Sequence, residues 1–195
     1  MSGKSTLLNI ISGIQPIDTK TNAISINERP IDDCRELQSM STFLSNDDKM
    51  FPEFSIWDNI RIALPRTDHS SENERRTACA EFLGQSDIFS NRSVDDPLGD
   101  LSTGGRALVK FCRAHVSSEP VVIVDELTSY LDDARAAFFL ERTMELVGHG
   151  AAVLIVSHSE RDRSYLKERG STLGIQVAEL SVERENNVSE VHIHA

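Results

Sequence analysis

Two short runs of apolar residues dominate the pattern of this chain: VVIV at 121–124 and AAVLIV at 151–156. Uninterrupted runs of this length, rich in β-branched residues and bounded by polar ones, suit parallel strands covered on both faces. Elsewhere the periodicity is helical or broken. Positions 5–12 carry Leu7, Leu8, Ile10 and Ile11 ahead of Gly13 and Pro16, a helix followed by its stop signals. Ile24 and Ile26 alternate with polar neighbours over 23–27, and 41–44 reads as another short strand before the polar loop 45–49. The spacing predicts a helix over 55–64, capped by Ser55 or Asp58. Residues 67–75 read as a polar surface connection, 77–83 as a helix and 91–100 as a loop. A further helix runs from Arg106 to about His115. Over 132–147, Ala136, Phe139, Leu140, Met144 and Val147 recur at helical spacing until Gly148 and Gly150 end it. Segments 174–180 and 188–194 read as strands that close the sheet.

Strands alternating with helices predict an α/β fold built on a mostly parallel sheet covered on both sides. The stretch 55–113 interrupts that rhythm, with helices and loops but no strand. The chain has 195 residues and 39% hydrophobic content, enough for one domain with a sizeable core. A net charge of −11 without a basic cluster argues against nucleic acid as the main partner. Cys34, Cys79 and Cys112 have no zinc-ligand spacing and make no even disulfide set, which leaves reduced thiols. His192 and His194 would share one side of a strand, read as a solvated face. No apolar run reaches the length of a bilayer span, so service to a membrane would run through a partner's spans.

The chemistry concentrates at a few places. Gly3-Lys4-Ser5-Thr6 opens the first helix and matches the end of a G-x-x-x-x-G-K-[ST] phosphate loop. The first glycine of that pattern and its feeding strand have no counterpart in the sequence, so the loop is expected to be incomplete. Asp125 and Glu126 follow a buried strand, at the end where α/β folds place ligands. There Asp125 can hold Mg²⁺, and Glu126 can take a proton from an attacking water. Ser102, Gly104 and Gly105 lie in LSTGG, a glycine-bearing turn that opens a helix and suits a phosphate. His158 follows the second buried strand, so it too sits at a strand's C-terminal end.

In this order the segments resemble the ATP-binding domain of ABC transporters. GKST looks like the end of Walker A, LSTGG like the signature motif and VVIVDE like Walker B. SYLD, ending at Asp132, resembles the D-loop, His158 the switch histidine, and Asn46 stands where the family has the Q-loop glutamine. Thr103 and Gly105 depart from the family's glycine and glutamine, Leu127 from its proline, and Asn46 is one methylene shorter than glutamine. The resemblance implies a P-loop NTPase (RecA-like) fold whose first strands and start of the P-loop are missing. It makes residues 1–195 a single, incomplete ATPase domain with 55–113 as its helical subdomain. It implies ATP and Mg²⁺ as cofactors. Gly3, Lys4, Ser5, Thr6, Asn46, Ser102, Gly104, Gly105 and Asp132 would contact nucleotide, Ser5, Asn46 and Asp125 the metal, and Glu126 and His158 would be catalytic. The implied partners are a second ABC ATPase domain, identical or related, and a transmembrane permease subunit, with this chain peripheral on the cytoplasmic side of the cell membrane. The segment around Phe51 and the run 97–114 resemble importers of sugars. The alternatives are a soluble ABC-type ATPase of translation or DNA repair, and a non-catalytic domain that acts by binding alone.

Overall fold

The structure, a computed structural model, describes residues 3–16, 24–45, 49–64, 71–117, 119–185 and 188–194. Helix α1 (Lys4–Ile11) starts at Gly3, whose φ of 88° lies in the left-handed region that favours glycine. It stops at Gly13, where a Cβ would stand 2.4 Å from the Cys34 carbonyl oxygen, so no side chain fits. Strands β1 (Ile24–Ile26) and β2 (Arg29–Ile31) form an antiparallel hairpin. Asn27 and Glu28, both at positive φ, make the two-residue turn whose twist matches the paired strands. Helix α2 (Cys34–Met40), capped by Asp33, then leads straight into β3 (Ser41–Ser45).

Helices fill the next stretch. Ser55 caps α3 (Ile56–Arg61), accepting from the Asp58 N–H. Helix α4 (Glu72–Gly84) begins earlier than its apolar periodicity suggests, because Ser71 and Glu74 form a reciprocal capping box. That corrects the expected surface connection over 67–75: residues 72–75 are helical, and 67–70 lie outside the described residues. Single 3₁₀ turns at Asp87–Phe89 and Leu98–Asp100 precede α5 (Thr103–Ser117). Then come β4 (Val121–Asp125), the 3₁₀ turn Leu127–Tyr130, α6 (Asp133–Gly148), β5 (Ala152–Val156) and α7 (Glu160–Leu173). The chain continues through β6 (Glu179–Glu185) and β7 (Val188–His194).

Strands β3, β4 and β5 form a parallel sheet in that order, with Ser45, Asp125 and Val156 in one row at its C-terminal edge. Val122, Ile123 and Val124 of central β4 are all buried, as a strand covered on both faces requires. Phe111 of α5 and Phe139 of α6 meet at 4.3 Å between ring centroids, and Phe82 of α4 adds a third ring 5.8 Å from Phe111. Burying each such ring contributes about 1.5–3 kcal/mol. The outer edge of β5 pairs with no strand among the described residues.

The C-terminal strands differ from expectation. Residues 174–178 are not strand, since Gly174 ends α7 in the left-handed conformation. Strands β6 and β7 pair with each other, antiparallel, and do not join the parallel sheet. The reason is physical: β6 reads ELSVERE, too charged for a strand covered on both faces, and a short connection permits only antiparallel pairing.

Candidate active site

The sharpest geometry lies at the C-terminal ends of β4 and β5. The Glu126 N–H donates to the Val156 carbonyl at 3.0 Å, extending the ladder one residue past its last paired row. Glu126 itself adopts φ 56°, a left-handed backbone unusual for a residue with a side chain. The chain thereby leaves β4 sharply and turns the carboxylate toward solvent. There Glu126 Oε1 stands 2.9 Å from His158 Nε2, with the two side chains 42% and 67% exposed. Two residues read separately from sequence, 32 positions apart (158 − 126), thus meet in a solvent-facing pair.

His158 also borders a cleft of about 300 Å³ beside β5, lined by Lys4, Leu8, Val156, Ser157 and Lys167 among others. Lys4 therefore shares a cleft with His158, at the start of α1 where the helix dipole and unpaired N–H groups favour an anion. Ser5 and Thr6 are exposed on the same first turn, and Gly3 precedes it. Asp125 sits beside Ser45 in the sheet register. Lys110 of α5, only 6% exposed, donates from Nζ to the Ser45 carbonyl at 2.7 Å and so pins the end of β3 next to that carboxylate. Asn46, which follows Ser45, lies outside the described residues.

The signature-like turn stands apart from this cleft. Ser102 is exposed and accepts the Gly105 N–H at 3.2 Å, capping α5. Gly104 packs against Leu131 and the Tyr130 carbonyl, and Gly105 against Ile88 and Leu101. Asp132 caps α6 by accepting the Arg135 N–H at 2.9 Å, and pairs with the Arg135 guanidinium, which also reaches Asp87. Within one chain the structure thus brings Lys4, Glu126 and His158 to one region. It leaves Ser102, Gly104 and Gly105 on a separate turn, where Ser102 is exposed, Gly104 half-buried and Gly105 buried.

No cluster of three or more His, Cys, Asp or Glu side chains able to hold a metal occurs among the described residues. The oxygen donors of Ser5 and Asp125 nevertheless suit Mg²⁺, which takes few protein ligands and completes its shell with water and substrate phosphates. Sequence reasoning did not find Asp162, Thr128 or Lys110. Lys110 had a signal: it falls between Val109 and Phe111 on a helix otherwise buried around it. Asp162 had none, because Glu160, Arg161 and Arg163 around it read as an ordinary solvated helix start.

Comparison with known proteins identifies the family and the fold. The ABC transporter family model matches residues 2–129. The ribose import ATP-binding protein RbsA of Bacillus subtilis is 25% identical over 159 residues, covering 80% of this chain and 32% of that protein. The mycobactin import ATP-binding/permease protein IrtB of Mycolicibacterium smegmatis is 31% identical over 197 residues, covering 91% of this chain and 33% of that protein. The chain therefore spans a third or less of these relatives' length. The lipoprotein-releasing system ATP-binding protein LolD of Acinetobacter baylyi is 30% identical over 168 residues, 82% of this chain and 72% of that protein. Among solved structures, the dimeric ATP-binding cassette MJ0796 in a post-hydrolysis state superposes with a TM-score of 0.67 at 20% identity, covering 84% of this chain and 73% of that one. That likeness establishes the fold, and the family match carries the assignment: the chain belongs to the ABC transporter family.

Proposed function

We propose that this chain is an ATP-hydrolysing subunit of an ABC transporter. The observation that carries the reading is the Glu126–His158 pair, 2.9 Å apart at the ends of adjacent parallel strands in a chain of this family. ATP would lie with its phosphates at the start of α1, where Gly3, Lys4, Ser5 and Thr6 supply amides, a cation and hydroxyls. Ser5 and Asp125, with Asn46, would hold Mg²⁺, which when bound neutralises phosphate charge. Glu126 takes a proton from water as the water oxygen attacks the γ-phosphorus. The bond from that phosphorus to the β–γ bridging oxygen breaks, giving ADP and phosphate. Lys4 and His158 stabilise the charge that spreads over the γ-phosphoryl oxygens.

Ser102, Gly104, Gly105 and Asp132 would serve a second ATPase domain across a dimer interface. The exposure of Ser102 and Asp132, away from the Lys4 cleft, supports that role, as does the dimeric state of the cassette MJ0796. The range 55–113 would act as the helical subdomain that faces a permease on the cytoplasmic side of the membrane. Phe51 and Phe54, just before that range, support a partner contact there: both are exposed, with rings stacked 5.3 Å apart, an apolar spot suited to a partner. No helix among the described residues is long and apolar enough to cross a membrane. A sugar as the transported solute draws support from the ribose import relatives, while IrtB and LolD carry other cargo in their names; uptake of labelled ribose with the cognate permease decides it.

Thermal unfolding with and without Mg²⁺·ATP, alongside Lys4→Ala, tests nucleotide binding. With ligand at about 100 times its dissociation constant, linkage gives roughly 2.7 kcal/mol. For a chain of this size that is a rise of about 5–10 °C. The expected result is a shift that Lys4→Ala abolishes, together with phosphate release that Glu126→Gln abolishes. No shift in the unmodified chain would sink the reading.

A further inference from the structure

Asp162, in the first turn of α7, is 0% exposed. A charge so placed needs partners. Its Oδ2 accepts two hydroxyls, from Thr128 Oγ1 at 2.6 Å and from Ser157 Oγ at 2.7 Å. Its Oδ1 faces the Arg161 guanidinium, with Nη2 at 3.1 Å and Nε at 3.2 Å, and Arg161 also pairs with Asp133 at the start of α6. Ser159 caps the helix through the Asp162 N–H, and its own N–H donates to Ser157 Oγ at 3.1 Å. Burial pushes the Asp162 carboxyl up, but the hydroxyls of Thr128 and Ser157 and the Arg161 guanidinium outweigh it and hold the group below its usual 3.8.

The partners are placed tellingly. Thr128 lies two residues past Glu126, and Ser157 immediately precedes His158. Backbone pairing of β4 with β5 ends at Asp125 and Val156, with Glu126 N–H one step further. Beyond that row, one carboxylate oxygen ties the turn after β4 to the turn after β5.

The geometry points to Asp162 as a positioning residue, whose carboxylate clamps those two turns and so sets the approach of Glu126 to His158. Its activity readout rests on the ATPase reading above; its geometric readout does not. The clamp requires a carboxylate. Each oxygen must accept, one from two hydroxyls and the other from a guanidinium, whereas an amide offers one acceptor and turns donors toward the other side.

The test follows the His158 ring ¹H–¹³C NMR signal, identified with His158→Gln, and ATP turnover in the full chain. Glu126→Gln is expected to displace that signal. Asp162→Asn and Ser157→Ala are expected to displace it in the same direction. Both also lower kcat by roughly ten- to a hundredfold while KM for ATP stays within about twofold, the split expected of a misplaced catalytic pair. Loss of folded protein alone would lower the amplitude of activity and leave the signal where it was. Ser157→Ala removes one hydroxyl and no charge, so it keeps the test in force if Asp162→Asn does not fold. A His158 signal unmoved in the folded variants, or unmoved by Glu126→Gln, overturns the proposal. An unmodified chain without turnover overturns the ATPase reading instead, and the NMR comparison still decides the clamp.

Discussion

Glu126 holds a backbone conformation that costs a non-glycine residue about 1–2 kcal/mol. The carboxylate it delivers to His158 is solvent-exposed, so that contact itself returns little stability. Strain of this kind at a strand end fits the catalytic role proposed for Glu126. Glu126→Gly should therefore raise the unfolding midpoint by about 2–4 °C, for roughly 1 kcal/mol regained, while phosphate release disappears; calorimetry and a phosphate assay on one sample would check both. Lys4, Asp125, Glu126 and His158 were legible because their signal is local: a residue type at a fixed offset from a strand or helix start. Asp162 and Lys110 were not, because what distinguishes them is burial against residues 34 and 65 positions away. No local pattern encodes that.

The helix α7 shows how an element can hide from periodicity. Its sequence ERDRSYLKERGSTL offers almost no apolar stripe, yet it forms because polar contacts hold it at both ends. Asp162 anchors its first turn. Further along, Arg169 and Tyr165 both donate to the Glu141 carboxylate of α6. The Arg169 hydrogen bonds, then that of Tyr165, lower the Glu141 carboxyl from 4.5 to about 2. A carboxyl depressed on folding stabilises fully above its unfolded value and loses that contribution as pH falls toward the folded one. Unmodified chain and Glu141→Gln should thus differ by a constant amount in denaturant midpoint near neutrality. The gap should close between pH 4.5 and about 2. A gap that persists at the acid end would mean the pair does not fasten α7 to α6. The strands β4 and β5, by contrast, were legible from apolar runs alone, and α4 only in part, since its capping box lies in polar sequence.

Taken together, the parallel sheet, the helices around it and the row Ser45–Asp125–Val156 give the α/β architecture that alternation of strands and helices predicts. The C-terminal hairpin departed from prediction because strand type depends on connection length and face chemistry, which a hydrophobicity pattern does not carry. The edge of β5 has a consequence for handling. Its five residues, AVLIV, carry no charge and no proline, and their outer backbone groups meet no strand among the described residues. Such a segment templates intermolecular strand addition. Light scattering of the isolated chain should climb steeply with protein concentration, and Ala152→Lys, a charge at an exposed position on that strand, should flatten the curve. The colloidal limit of this protein, the concentration at which it stays dispersed, is then set by the same apolar run that predicts a buried strand and that the fold leaves only half-buried in β5.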